Sequence, residues 1–355
     1  MWIKELKIYN FRRFESRKIE FNEGVNLITG LNAVGKTTVL ESVYYLGVCK
    51  SFKTHTENEL INQKYAEMSV VGSVIGDKST YKLKVCKEKK GKSVFVNDNK
   101  LKKISDFLGK MLVVSFSNDD IVRMNSSSRE RRYLFEPIIC QISKDYVGAS
   151  IYYKKLLNDR NALLKRLECE KTETLLKTLE TVNDQMVVYG TKIIDVRKRF
   201  VEKVNEITES IHSKITSNRE RIEIKYSPNV SKEMFRKMLS ENLTEEIKKG
   251  TSLYGPHKDD YTFFVDGLNV VDFGSQGQQR SCMISFKIAC AKIIKMVKNE
   301  NPVLLLDDVF SELDHVRQNK LFDAFDEKMQ VLISSSAIKE LSESVINKIK
   351  IIKLE

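Results

Sequence analysis

Two stretches of this 355-residue chain carry residue types in an order that suits phosphate chemistry. The first, Gly30-Leu-Asn-Ala-Val-Gly35-Lys36-Thr37, fits the pattern G-x-x-x-x-G-K-[ST]. A loop of this kind turns its backbone N–H groups toward phosphate oxygens, brings a lysine charge to the β- and γ-phosphates, and offers a hydroxyl to Mg2+. The second, Pro302-Val-Leu-Leu-Leu-Asp307-Asp308, is an apolar run ending in two carboxylates. Asp307 is placed to hold Mg2+ through water. Asp308 is then free to orient or polarise an attacking water, a role that needs a carboxylate within hydrogen-bond reach.

A phosphate loop works where a strand ends and a helix begins, because the helix N-terminus adds partial positive charge. Here "GVNLITG" precedes the loop as a strand and "TTVLESVYYLGVC" follows it as a helix. Residues 302–306 predict a buried strand, which delivers both acids to its carboxyl end. The period of two over 68–97 predicts half-buried antiparallel strands, and "LVVSF" at 112–116 another buried one. The closing section predicts a helix over 281–297, the 302–306 strand, a helix over 315–325, a strand over 329–333, another helix and a last strand, "KIKIIKL".

Residues 126–216 read differently, with one proline, Pro137, among many Lys, Glu, Leu and Ile. Leu175, Leu179, Val182, Met186, Tyr189, Ile193, Val196, Phe200, Val204, Ile207 and Ile211 recur at alternating threes and fours. That is the seam of a coiled-coil-like helix on the order of 60 Å long. It is expected to pack within its own helical lobe rather than zip to another chain. The reading is an α/β fold, a mixed sheet with flanking helices, plus an inserted and largely helical second lobe. Lobe I takes 1–116 and 296–355, and lobe II takes 117–295.

A third stretch, "GSQGQQRS" at 274–281, is polar and stands just ahead of an apolar helix. Ser275 followed by Gln278 is a capping box, which starts the helix and points backbone N–H groups outward. An exposed helix N-terminus is an anion site. The phosphates of a nucleotide on this chain are already served by 30–37, so the second site suits the γ-phosphate of ATP held by another copy. The arrangement is a head-to-tail sandwich in a two-fold dimer.

The totals set the setting. Sixty basic against 48 acidic residues give +12, which suits a polyanionic partner. The basic excess is concentrated between Tyr81 and Lys110, ten lysines against three acids. Lys82 and Lys84 alternate with Tyr81, Leu83 and Val85, so a hairpin with one buried face would present ammonium groups on the other. Lys82, Lys84, Lys89, Lys90 and Lys92 are the DNA-binding candidates, by phosphate contact and without base readout. The plainer reading is an edge hairpin that uses lysines against aggregation. No apolar run is long enough to cross a membrane, and the start "MWIKELKIYNFRRF" lacks the apolar centre of a secretory signal, so a cytoplasmic protein is expected. Cys49, Cys86, Cys140, Cys169, Cys282 and Cys290 show no C-x-x-C spacing, so neither disulfides nor zinc are expected.

Taken together, the phosphate loop, the S-x-G-Q signature, "LLLDD" and Ser311-Glu-Leu-Asp314 resemble the ABC-type ATPase heads of DNA repair and chromosome proteins. With "NFRRF" at 10–14, "RERRYLFE" at 129–136 and "YGPHKDD" at 254–260, nearly the whole chain is similar to the RecF family. The resemblance implies an ATP-dependent DNA-binding protein of recombinational repair. Such a protein dimerises on ATP, hydrolyses it slowly, binds duplex or gapped DNA and acts with RecO and RecR to load recombinase. Carried over by position, Gly30, Asn32, Ala33, Val34, Gly35, Lys36, Thr37 and Thr38 form the phosphate loop. Ser275, Gly277 and Gln278 form the signature, Asp307 and Asp308 the acid pair, and Asp314 the D-loop acid. Ser335 is the candidate for the place of a switch histidine.

Departures from the pattern are visible. Ala33 stands where a glycine is usual, which strains the loop if that position needs positive φ. "SFSNDD" at 115–120 lacks the expected proline and glutamate, and Lys258 replaces an arginine. Two competing readings remain. A transporter nucleotide-binding subunit would carry L-S-G-G-Q in place of S-Q-G-Q-Q, and a small-molecule kinase would need neither signature nor D-loop.

Overall fold

The computed structural model describes residues 1–77, 79–309, 325, 328–335 and 349–355. Asp314 and nearly all of the helix expected over 315–325 lie outside them, as does the helix expected after the 329–333 strand. Contacts divide the chain into two units, Met1–Val122 with Glu206–Ile222 and Val265–Glu355, and Arg123–Asn205 with Glu223–Phe264. Residues 117–122, 206–222 and 265–295, drawn into lobe II on sequence grounds, group with the first unit. The reason is burial. The signature helix, Gln276–Lys298, is covered without a break from Arg280 to Ala291.

In chain order the strands up to the first helical region are β1 (Trp2–Phe11), β2 (Phe14–Glu20), β3 (Val25–Thr29), β4 (Glu67–Ile75), β5 (Thr80–Glu88), β6 (Gly91–Val96), β7 (Asn99–Lys100) and β8 (Val113–Phe116). Those that follow are β9 (Ile222–Ser227), β10 (Asp260–Val265), β11 (Leu268–Asn269), β12 (Val303–Asp307), β13 (Val331–Ser335) and β14 (Lys350–Lys353).

The first unit holds two sheets. One is antiparallel, in the order β2-β1-β4-β5-β6-β7. Its strands alternate, β4 burying Met68, Val70 and Val74 while intervening residues stay half-exposed, as a sheet with one wet face should. The other is parallel, in the order β14-β3-β13-β12-β8. Its central strands are buried end to end, "VLLLD" and "VLISS" among them, because both faces of a parallel sheet are covered. The helix Lys36–Val48 meets strands of both sheets, and every residue from Val39 to Val48 is buried. Gln330 joins the sheets as well: its amide accepts from Ile3 N at 2.8 Å and donates to the Ile3 and Asn22 carbonyls, each at 2.9 Å.

The second unit is built from the helices Ser128–Ile142 and Lys144–Cys169, the part of the Glu173–Thr216 helix up to Asn205, two short helices and the adjacent strands β9 and β10. The long helix is packed against its own chain. Leu175 and Leu179 pack with Leu164, Leu167 and Ile247, and Met186, Ile193, Phe200 and Val204 are buried further along the same seam. Phe135 stacks on Tyr261 with ring centroids 3.8 Å apart.

Candidate functional site

The parallel sheet brings the two chemical stretches together. β3 ends at Thr29, and the loop after it turns into the helix at Lys36. Gly35 caps that helix at φ 104° and Gly30 sits at φ 153°. A Cβ on Gly30 would lie 2.6 Å from the Leu354 carbonyl oxygen, and one on Gly35 would lie 2.6 Å from the Phe14 ring. Ala33 has φ 67°, so the substitution puts an alanine in the left-handed region at a cost of about 1–2 kcal/mol. Lys36 Nζ donates to the carbonyls of Gly30 and Leu31 at 2.7 and 2.9 Å, which holds its charge over the loop.

β13 lies between β3 and β12 and carries the link from loop to acids. Thr37 Oγ1 donates to Asp307 Oδ1 at 2.8 Å, across 270 residues of sequence. Ser334 Oγ donates to the same oxygen at 2.6 Å. Burial pushes the Asp307 carboxyl above its usual range; the two hydroxyls and the Lys53 charge pull it down, and Asp308 pushes it up. Among the described residues the hydrogen-bond donors to Asp307 are neutral hydroxyls, and such a buried carboxylate suits a divalent cation, so the residues present fit Mg2+. Asp308 has φ 52°. Its N–H donates to the Ser334 carbonyl and hydroxyl oxygens at 3.2 and 3.0 Å, and its carbonyl accepts from Arg280 at 2.5 Å.

Ser334, Lys53 and Arg280 were missed from sequence. Ser334 is the Cα partner of Asp307 in the β12–β13 ladder and of Ile28 in the β13–β3 ladder, where Ser335 follows as the partner of Thr29. Register therefore puts Ser334 beside Asp307, with Ser335 next to it at the end of the same strand. Only knowledge of the pairing would have chosen between them. Lys53 follows a turn in which Ser51 Oγ donates to the buried Glu41 and accepts from Lys53 N. Arg12, from "NFRRF", clasps the same Glu41 at 3.1 and 2.9 Å.

The polar tip is formed as its residues imply. Ser275 Oγ accepts from Gln278 N at 3.2 Å and Ser275 N donates to Gln278 Oε1 at 3.0 Å, closing the capping box. Ser275 and Gln276 are exposed, and the neighbouring Phe273 is 71% exposed. Ser275 makes no hydrogen bond to the phosphate loop or acid pair of its own chain among the described residues. In "SFSNDD", Asp120 is committed: it accepts from Ser117 N at 2.9 Å and from Lys287 Nζ at 3.0 Å, all buried. Asn118 is exposed and Asp119 half-buried.

The lysine hairpin is β5–β6 with Leu83, Val85 and Val94 buried. Its five candidates do not share one environment. Lys89 and Lys90 are exposed at the turn, Lys82 pairs with Asp98 at 2.8 Å, and Lys84 lies over the Phe95 ring. Lys92 faces inward instead. Its ammonium donates to the Cys49 carbonyl, bonds Glu57 at 2.6 Å and covers the Tyr45 ring. The β-pleat causes this, since a residue on the inner face of the hairpin meets the core whatever its charge.

In the second unit, "RERRYLFE" and "GPHKDD" clasp each other. Arg131 forms a two-pronged pair with Asp260 at 2.7 and 2.6 Å, and Arg132 donates to the Asp259 carbonyl at 2.5 Å. The Asp259 carboxylate accepts from Arg197 at 2.7 Å, Tyr226 at 2.5 Å and Asn229 N at 2.9 Å. His257 Nε2 faces the Ser252 carbonyl at 3.1 Å and must donate to it, so Nδ1 accepts from Tyr153 at 2.8 Å. Burial lowers the His257 pKa to about 4.

Comparison with known proteins agrees with this geometry. The family described as RecF/RecN/SMC N terminal domain matches residues 2–354. The DNA replication and repair protein RecF of Clostridium kluyveri is 37% identical over 98% of this chain and 96% of its own. That of Macrococcus caseolyticus is 34% identical over 99% and 97%. Among solved structures, the recombination mediator protein RecF-ATP in the RecFOR pathway superposes with a TM-score of 0.88 at 32% identity, covering 96% of this chain and 93% of that one. The Smc head domain from Pyrococcus furiosus, at 16% identity and a TM-score of 0.52, shares the fold. The fold is thus an ABC-type ATPase head, and the chain belongs to the RecF family.

Proposed function

We propose that the chain is an ATP-driven clamp on DNA that acts in recombinational repair. The observation that carries this reading is the Thr37–Asp307–Ser334 contact beside a lysine-bearing phosphate loop, with a capped and exposed signature tip on the same chain. The loop N–H groups and Lys36 would hold the triphosphate of ATP. Thr37 and Asp307 would hold Mg2+, which supplies neutralisation of charge on the β- and γ-phosphates. Asp308 would orient the attacking water. Ser275, with Gly277 and Gln278, would meet the γ-phosphate on a second copy of the chain. Closure on ATP and slow reopening on hydrolysis would make the protein a switch.

Duplex or gapped DNA is the expected partner, gripped through phosphates by surfaces that include Lys82, Lys84, Lys89 and Lys90. Lys92 does not belong to that surface, for the packing reason given above. The solved RecF-ATP structure is described as a recombination mediator in the RecFOR pathway, which supports RecO and RecR as protein partners. Asp314 would serve as D-loop acid and Ser335 would take the place of a switch histidine, next to Ser334 on Asp307. Light scattering with Mg-ATP tests the reading. Wild type should shift from monomer to dimer, and Ser275→Arg should bind ATP yet stay monomeric. Normal ATP-dependent dimers of Ser275→Arg would refute the signature assignment.

A further inference from the structure

The signature helix reaches the acid pair of its own chain. Five residues behind Ser275, about 7.5 Å along the helix, Arg280 is fully buried. Its guanidinium lies over the Phe116 ring at 5.7 Å and donates to the Asp308 carbonyl at 2.5 Å. Asp308 is held from its other side too, by the two Ser334 oxygens on its N–H. This matters because φ 52° is uncommon for any residue with a Cβ, even though aspartate tolerates it better than most. A residue in that region stays there only when its surroundings hold it.

We propose that Arg280 is a positioning residue for ATP hydrolysis. It holds the Asp308 backbone in its left-handed turn, and so aims the Asp308 carboxylate and ties the signature tip of a chain to the acid pair of that same chain. Phe116, at the end of β8, lies under the guanidinium at 5.7 Å. The helix between tip and anchor is short and becomes fully buried at Arg280, so displacement of the tip is passed to Asp308 and is not absorbed by bending. The inference rests on the clamp reading. Its consequence is that engagement of the tip by a second copy's nucleotide biases hydrolysis in the first copy, which couples the two sites.

The test uses the full chain and separates binding from turnover. Arg280→Gln should lower kcat for ATP about tenfold or more while leaving the Kd for a fluorescent ATP analogue within about threefold. Arg280→Lys, which keeps one charged donor, should recover part of the loss. An unchanged kcat in Arg280→Gln overturns the proposal. So does a parallel loss of kcat, nucleotide affinity and melting temperature, which would mark a merely structural arginine. Should Arg280→Gln not fold, Phe116→Leu takes its place, with a smaller loss confined to kcat expected and an unchanged kcat refuting the idea. Ser275→Arg distinguishes the two readings. Normal dimers in that variant sink the clamp itself, whereas blocked dimers with a normal kcat in Arg280→Gln sink only the role of Arg280.

Discussion

Asp307 and Asp259 are both buried aspartates, 8% and 0% exposed, and both stand in motifs legible in the sequence. Their surroundings differ in kind. Asp259 accepts from the Arg197 guanidinium, a tyrosine hydroxyl and a backbone N–H, so its charge is matched by a buried cation. Asp307 accepts from two hydroxyls, and burial pushes its carboxyl up. The first is complete within the fold; the second has the donor set of a group that takes a cation from outside. Burial alone therefore does not mark a functional acid, and the charge of its partners does.

The comparison breaks most easily at Asp259. Asp259→Asn leaves Arg197 with Glu136 at 3.1 Å as its remaining carboxylate partner, and urea unfolding should show a loss of about 2–3 kcal/mol. A stability within 1 kcal/mol of wild type, taken as about the noise of such a contrast, would mean the pair is not what holds the turn. Asp307→Asn should behave in the opposite way. Turnover of Mg-ATP should fall about 100-fold or more, while the nucleotide-free protein melts no lower than wild type, because the substitution removes a buried carboxylate whose ionisation the fold disfavours. Melting far below wild type would make Asp307 a structural acid.

His257 sharpens the contrast through pH. Its folded pKa of about 4 lies below the unfolded value of 6.5. The fold therefore keeps its full stability above 6.5 and loses it as pH falls through the window from 6.5 to 4. At pH 5 the loss from this group is about 2 kcal/mol, and His257→Gln should flatten that part of the profile. The smallest effect concerns the lysines. Lys89→Glu with Lys90→Glu should weaken duplex binding in ATP at low salt and reduce the salt slope by about two. Lys92→Ala should spare DNA affinity and lower the melting temperature, since Lys92 is held by Glu57, the Cys49 carbonyl and the Tyr45 ring. Equal effects of the two changes on DNA binding would erase the distinction.

Much of the site was legible because its chemistry is local. A glycine loop between a strand and a helix, an apolar strand ending in two acids, and a serine three residues before a glutamine each depend on neighbours in sequence, and each formed as expected. Ala33 was legible as a strained position on the same ground, and its φ of 67° bears that out. Lys92 and Ser334 were not legible. The five lysines look alike in composition, and their fates diverge because the pleat sends Lys92 to the core. Ser334 and Ser335 are neighbours on one strand, and only the register of β13 against β12 sets Ser334 across from Asp307.

Residue type and spacing alone determined that this chain carries a phosphate loop, an acid pair and a capped polar helix tip, since backbone N–H direction and strand or helix period follow from a few consecutive residues. The tertiary structure decided which serine touches Asp307, that Arg280 grips the Asp308 carbonyl, and that two arginines of one motif lock the aspartates of another. Those contacts join residues 27 to 129 positions apart. Strand register and the burial of a whole helix bring them together, and neither is written in any single stretch of the chain.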